Sequence, residues 1–137
     1  MKTEQREDFN ADDLHFSKSK PVQANPDKYI EIRVDTAKVI ESWALSLYSF
    51  EWLSEGKIKT AEDLKDSDQE KQNAITAAIE NGQPLEQPVL GIGIQDNVEI
   101  GSGKAVFLTL TSFGAKTLPV HILKSCEDDF KAYRVDA

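Results

Sequence analysis

The chain has 137 residues, 39% of them hydrophobic and 29% charged, with a formal net charge of −8. That length suits one domain with a single core, and an acidic surface repels duplex nucleic acid, so a protein partner fits the charge better than DNA or RNA. No apolar stretch could span a bilayer, the N-terminal MKTEQREDFNADD lacks a signal peptide's apolar core, and the one cysteine, Cys126, cannot form an internal disulfide; a cytoplasmic protein with no membrane association is expected.

Residues 1–27 are polar and carry Pro21 and Pro26, which should break regular structure. They are expected to form a flexible N-terminal arm, with Leu14 and Phe16 available to dock on the body. YIEIRVD then alternates, with Ile30, Ile32 and Val34 on one face, as a half-buried strand requires. Asp35 or Thr36 can cap a helix running to about Leu53, where Gly56 would follow its end. Val39, Trp43, Leu47 and Phe50 share its face, and Ile40, Ala44, Tyr48 and Trp52 widen the stripe enough to predict the main buried helix.

KTAEDLKDSDQEKQNAITAAIENG holds one or two helices, with Gly82 as the stop. Its acids, Glu62, Asp63, Asp66, Asp68 and Glu70, lack the ligand order of a calcium loop and read as a solvated helix face. QPVLGIGIQ is a strand with Leu90, Ile92 and Ile94 on one face, while Gly91 and Gly93 leave the other bare for a close neighbour. Asp96-Asn97 signals a turn and VEI the return strand. Gly103 to Phe113 predicts a helix with Phe107, Leu108 and Leu110 inward, and TLPVHIL a final strand whose Pro119 belongs at a start or an edge. The body is expected to span residues 28–126, followed by a charged, partly helical tail at 127–137.

Two candidate sites follow. Gly101, Ser102, Gly103 and Lys104 form a glycine-rich turn at a helix start, where backbone amides and one lysine can attract phosphate. It is not a Walker A loop, because Ala105 follows the lysine. Asp96 and Glu99 stand on one hairpin and are the candidate ligands for a divalent metal. His15 and His121 are distant in sequence and suggest no metal site, and no cation or base flanks Cys126 to activate its thiol.

The order of these elements resembles a known family. Ile79 and Gly82, Gln87-Pro88-Val89, Asp96-Asn97, Ile100, Gly103, Gly114 and Leu118-Pro119-Val120 follow the pattern of the N-terminal domain of ParB, the fold shared by ParB-like nucleases and sulfiredoxin. Gly103 and Gly114 stand eleven positions apart, and Asn97 precedes Gly103 by six, as in that pattern. The resemblance covers about a third of the chain, residues 75–122, and implies an α+β fold with a small mixed sheet and packed helices.

The departures bear on function. In the family, basic residues after the turn glycine hold nucleotide phosphates; here the two positions are Ala105 and Val106, so the bidentate guanidinium contacts are lost. Lys104 stands where sulfiredoxin has its cysteine. The resemblance therefore implies a degenerate scaffold serving as a non-enzymatic interaction or inhibitory protein, of the kind carried by plasmids or phages, without a cofactor. The alternative is a ParB-like nucleotide-binding nuclease or nucleotidase that uses the Gly101–Lys104 turn with a nucleotide and magnesium. The sequence leaves the partner's identity and the oligomeric state open.

Overall fold

The structure is a computed structural model that describes residues 14–47 and 49–135. It opens with a two-residue strand, β1 (Phe16–Ser17), and a short helix, α1 (Lys20–Ala24). The segment expected to lack regular structure therefore carries two elements. Pro21 sits in the first turn of α1, where its missing N–H has no intrahelical role. Val22 is buried, and Phe16 pairs in parallel with Leu85. Residues 1–13 lie outside the described residues.

Strand β2 (Tyr29–Asp35) follows and leads directly into α2 (Thr36–Trp43), whose N-cap is Asp35, its carboxylate accepting from the Lys38 amide at 3.1 Å. A tight hairpin, β3 (Leu53–Ser54) and β4 (Lys57–Ile58), precedes the long helix α3 (Asp66–Glu80). Then come β5 (Leu85–Glu86), the hairpin β6 (Leu90–Ile92) and β7 (Val98–Ile100), helix α4 (Lys104–Ser112) and β8 (Thr117–Leu123). A 3₁₀ segment, Lys124–Phe130, leads into the C-terminal residues. The fold is α+β, with four small two-stranded sheets among the described residues.

The core forms where β2 and β8 pair antiparallel, Ile32 opposite Val120 and Val34 opposite Leu118. Ile32, Val34, Leu118, Val120 and Ile122 are buried on one face, as the alternation predicts. Helix α4 is buried nearly all round, with Phe107, Leu108 and Leu110 fully covered, and Trp43 of α2 joins them. Each such side chain contributes about 1.5–3 kcal/mol through burial. Pro119 faces away from β2. The Arg33 carbonyl and Asp35 amide point to the opposite neighbour of β2, so Arg33 and Pro119 are not a hydrogen-bonded pair, and the missing N–H is harmless.

Helix α2 ends at Trp43 rather than near Leu53. The Ser49 hydroxyl donates to the Ala44 and Ser46 carbonyls at 3.1 and 3.0 Å, giving the chain a local alternative to the helical ladder. Leu45, Leu47 and Phe50 consequently stand 60, 81 and 67% exposed, although Trp52 reaches the core from the far side of the turn. Tyr48 lies outside the described residues. Gly56 is not a helix end either. With Glu55 it makes the β3–β4 turn, both at positive φ (52° and 80°), the geometry of a tight hairpin turn.

Two further expectations change. Strand β6 stops at Ile92 because the turn begins at Gly93, which exchanges hydrogen bonds with Asp96 and Asn97, so Ile94 is fully exposed instead of inward. A close neighbour exists at Gly93, against Glu99 and Asn97, and not at Gly91. The C-terminal residues, expected as a charged tail, are built into the body: Phe130 is fully buried and meets the Tyr133 ring edge-on at 5.9 Å. Tyr133 and Val135 hydrogen-bond along the free edge of β2, through Asp35 and Arg33 at 2.8 and 2.9 Å.

Candidate functional site

The glycine turn is fastened to the segment Gln87-Pro88-Val89. The Val89 amide donates to the Ser102 carbonyl at 2.9 Å, and the Val89 carbonyl accepts from the Gly101 amide at 2.8 Å. The Pro88 carbonyl accepts from the His121 amide, which ties the same segment to β8. Gly103 has φ +75°, and a Cβ there would stand 2.8 Å from the Pro88 Cα and 3.2 Å from the Glu86 carbonyl oxygen. Two of the turn's features thus have a structural cause: the Gly101 amide is already engaged, and Gly103 is demanded by backbone contact.

What remains for a ligand is the start of α4. Gly103 is its N-cap and supplies no side-chain cap. The Lys104, Ala105 and Val106 amides precede the first intrahelical bond, from Phe107 to Gly103, and have no helical acceptor. Beside them lies a cavity of about 440 Å³ whose wall includes Lys104, Trp52, Asp68, Lys71, Ile75 and Glu86. Asp68 is 3% exposed; its Oδ1 is 4.0 Å from the Lys71 ammonium, and its Oδ2 has no hydrogen-bond partner among the described residues. Trp52 is fully buried with its indole Nε1 equally unpartnered.

Asp68 was read from the sequence as part of a solvated face. Helix α3 turns it inward with Gln72 and Ile75, at the i, i+4, i+7 spacing of a buried stripe, and that spacing was the signal available. Its carboxylate opposes a phosphate at this cavity. Lys104 is also not an isolated charge. The nearby Glu51 carboxyl is held below its ordinary value, first by a hydrogen bond from Lys65 at 2.6 Å and further by the charges of Lys65, Lys104 and Lys71.

The other candidate residues are not drawn into this cavity. Asp96 is exposed in the β6–β7 turn at φ 60°, while Glu99 lies over Gly93 and accepts from the Asn97 side-chain Nδ2 at 3.1 Å. Among the described residues no group of three or more His, Cys, Asp or Glu is placed to hold a metal ion. Cys126 is half-buried in the 3₁₀ segment after β8, outside the turn before α4. A larger cavity of about 990 Å³ opens between α2, the β3–β4 hairpin and α4, with Ile40, Ala44 and Ile58 on its apolar side and Lys57 and Lys59 at its rim.

His121 forms a separate polar cluster on the second face of the β2–β8 pair. It stands opposite Glu31, whose carboxylate accepts from the Gln87 side-chain Nε2 at 2.6 Å, and its own Nδ1 has no partner among the described residues. Burial pushes its pKa below the ordinary 6.5, Glu31 pulls it back up, and Lys18 lowers it further. The folded state therefore prefers neutral imidazole. The stability this preference supports is present above about pH 6.5 and is lost as pH falls through the lowered folded value. Urea midpoints should fall between pH 7 and pH 5, and His121→Gln should flatten that dependence.

No helix among the described residues is long and apolar enough to cross a membrane. Comparison with protein-family models, with curated proteins and with solved structures gave no match.

Proposed function

We propose that the protein is a non-enzymatic interaction or inhibitory protein that grips a basic protein partner through Leu45, Leu47 and Phe50. The exposure of Leu45, Leu47 and Phe50 within one short connection carries this reading, because large apolar side chains clustered on a surface mark interaction sites. Glu41 and Glu55 lie near these residues in sequence, and the chain as a whole carries a formal charge of −8. That overall balance suits a partner surface that is apolar at its centre and basic at its rim.

The scaffold we assign is ParB/sulfiredoxin-like. Support comes from the order of its parts: α3 closing at Gly82, the Gln87-Pro88-Val89 segment, a hairpin, Gly103 opening α4, Gly114 closing it, and Leu118-Pro119-Val120 within β8. The same resemblance suggests a plasmid or phage origin, and the single cysteine favours a cytoplasmic setting. The loss of two basic residues to Ala105 and Val106, and a carboxylate beside the helix start, favour binding over catalysis.

Leu47→Glu with Phe50→Glu tests the proposal. Both side chains are exposed, so stability should change by no more than about 0.5 kcal/mol. Binding to the partner identified by cross-linking should fall by more than about tenfold, roughly 1.4 kcal/mol, and the wild-type complex should weaken with added salt. Undiminished binding by the double variant would overturn it. The nuclease or nucleotidase alternative is favoured by one observation, the uncapped amides beside Lys104. Saturable binding of ATP or CTP with magnesium, abolished by Lys104→Ala, would establish it in place of the interaction reading.

A further inference from the structure

The hairpin of β3 and β4 leaves one strand edge without a neighbour. The Lys59 amide donates to the Trp52 carbonyl at 2.8 Å, and Ser54 faces Lys57 across the turn, so Leu53 and Ile58 between them are not a hydrogen-bonded pair. The Ile58 N–H and C=O therefore point away from β3, and neither has a partner among the described residues. All of residues 56–62 border the cavity of about 990 Å³ and neither residue of β3 does, which sets the cavity against this free edge. Helix α2 supplies another wall through Ala37, Ile40, Glu41 and Ala44, one face at helical spacing. Gln72 of α3 also lines the cavity and is only 4% exposed. Its carboxamide has no hydrogen-bond partner among the described residues, yet neither of its polar atoms is sealed from solvent.

The unmet groups are of one chemical kind. A donor and an acceptor stand side by side on the β4 edge, and another such pair on Gln72. An ion would satisfy donors or acceptors but not both, and a compact amide would answer one of the two pairs. An extended peptide repeats donor and acceptor along its length and answers both. Lys57 and Lys59 balance Glu41 and Glu62 around the cavity, so charge complementarity calls for an uncharged stretch.

We propose that the cavity binds an extended, uncharged segment of a partner protein, added as a strand to β4. The segment's main chain pairs with the Ile58 N–H and C=O, one of its peptide groups pairs with the Gln72 carboxamide, and its apolar side chains rest on Ile40 and Ala44. In strand addition the main-chain bonds give affinity and the side-chain contacts give selectivity. The cavity lies at the upper end of the range for ligand sites, about 300–1,000 Å³, which leaves room for several residues. The proposal does not depend on partner binding through Leu45, Leu47 and Phe50.

The test is a titration of the whole chain with N-acetylated, C-amidated pentapeptides that alternate threonine with valine, alanine or leucine. Binding is read from the Ile58 backbone N–H and Gln72 side-chain resonances. Main-chain pairing is common to all these sequences, so at least one should move both resonances saturably at millimolar concentration and slow hydrogen exchange at Ile58. The same peptide N-methylated at alternate amides loses its donors along one edge and should bind about tenfold or more weakly. Gln72→Leu should weaken binding about five- to tenfold. Should that variant fail to fold, Ala37→Trp, at an exposed position on the cavity wall, should block entry without disturbing the core. Failure of the whole panel to move the Ile58 resonance would overturn the proposal. So would equal binding of the N-methylated peptide, the sign of a merely apolar contact, or undiminished binding by Ala37→Trp.

Discussion

Gly103→Ala should lower the melting temperature by about 10 °C. Two penalties combine at this position. A left-handed backbone disfavours any L side chain by about 1–2 kcal/mol, and φ here is +75°. The new methyl would also press on the Pro88 Cα at 2.8 Å and the Glu86 carbonyl oxygen at 3.2 Å, contacts with backbone that cannot swing aside. Overpacking of that kind adds about 1–3 kcal/mol, and a total near 3 kcal/mol shifts a domain of this size by about 10 °C. Gly101→Ala is the control, because its Cβ would meet only the Val89 carbonyl oxygen at 3.4 Å and its φ is not positive. Equal melting of the two variants would show that Gly103 is free of the constraint.

Phe130→Ala should destabilise by about 3–5 kcal/mol, the range for removing a buried aromatic ring. Its side chain is fully buried and abuts Tyr133, whose hydroxyl donates to the Ser42 Oγ at 3.1 Å on α2. The adjacent Lys131 is exposed and its ammonium pairs with the exposed Asp128, so Lys131→Ala should leave stability within about 0.5 kcal/mol. Chemical denaturation of both variants separates a C-terminal segment that belongs to the core from one that merely follows it. Similar midpoints for the two would mean that Phe130 is not needed to hold the body together.

The sequence made some of this fold readable and hid the rest for identifiable reasons. Period-two alternation located β2 and most of β8, and glycines bracketed α4 to within a residue, because those signals are local. The end of α2 was not readable. Apolar residues continue at helical spacing through Leu47 and Phe50, and the Ser49 hydroxyl that captures two nearby carbonyls marks the break. Apolar spacing assumed those residues were buried, whereas the structure exposes them. The role of Phe130 was hidden by its neighbours, since four charged residues among 127–131 make the segment look solvated.

At the candidate site the division is similar. The turn and helix start lie where the glycine pattern places them, and the two substituted basic positions were visible directly. Asp68 was misread because a charged residue on an otherwise polar helix face looks solvated. Trp52 was expected in the core, but its position beside the turn depends on the β3–β4 hairpin and on long-range contact with α3, neither of which has a local signature. Polar groups that matter only through what is missing around them cannot be read from residue order.

The way β2 is flanked has a consequence for how the chain acquires its shape. One of its edges pairs with β8 and the other with Tyr133 and Val135, all of them made long after β2 itself during synthesis. Neither edge has a partner while the nascent chain is short, and contacts so distant in sequence carry a large loop-closure penalty. The edge that faces Tyr133 and Val135 has no partner until those residues are made, even after β8 is in place on the other side. Glu31 and Arg33 alternate with the apolar residues of β2, and charged side chains on an unpaired strand disfavour its pairing with another chain.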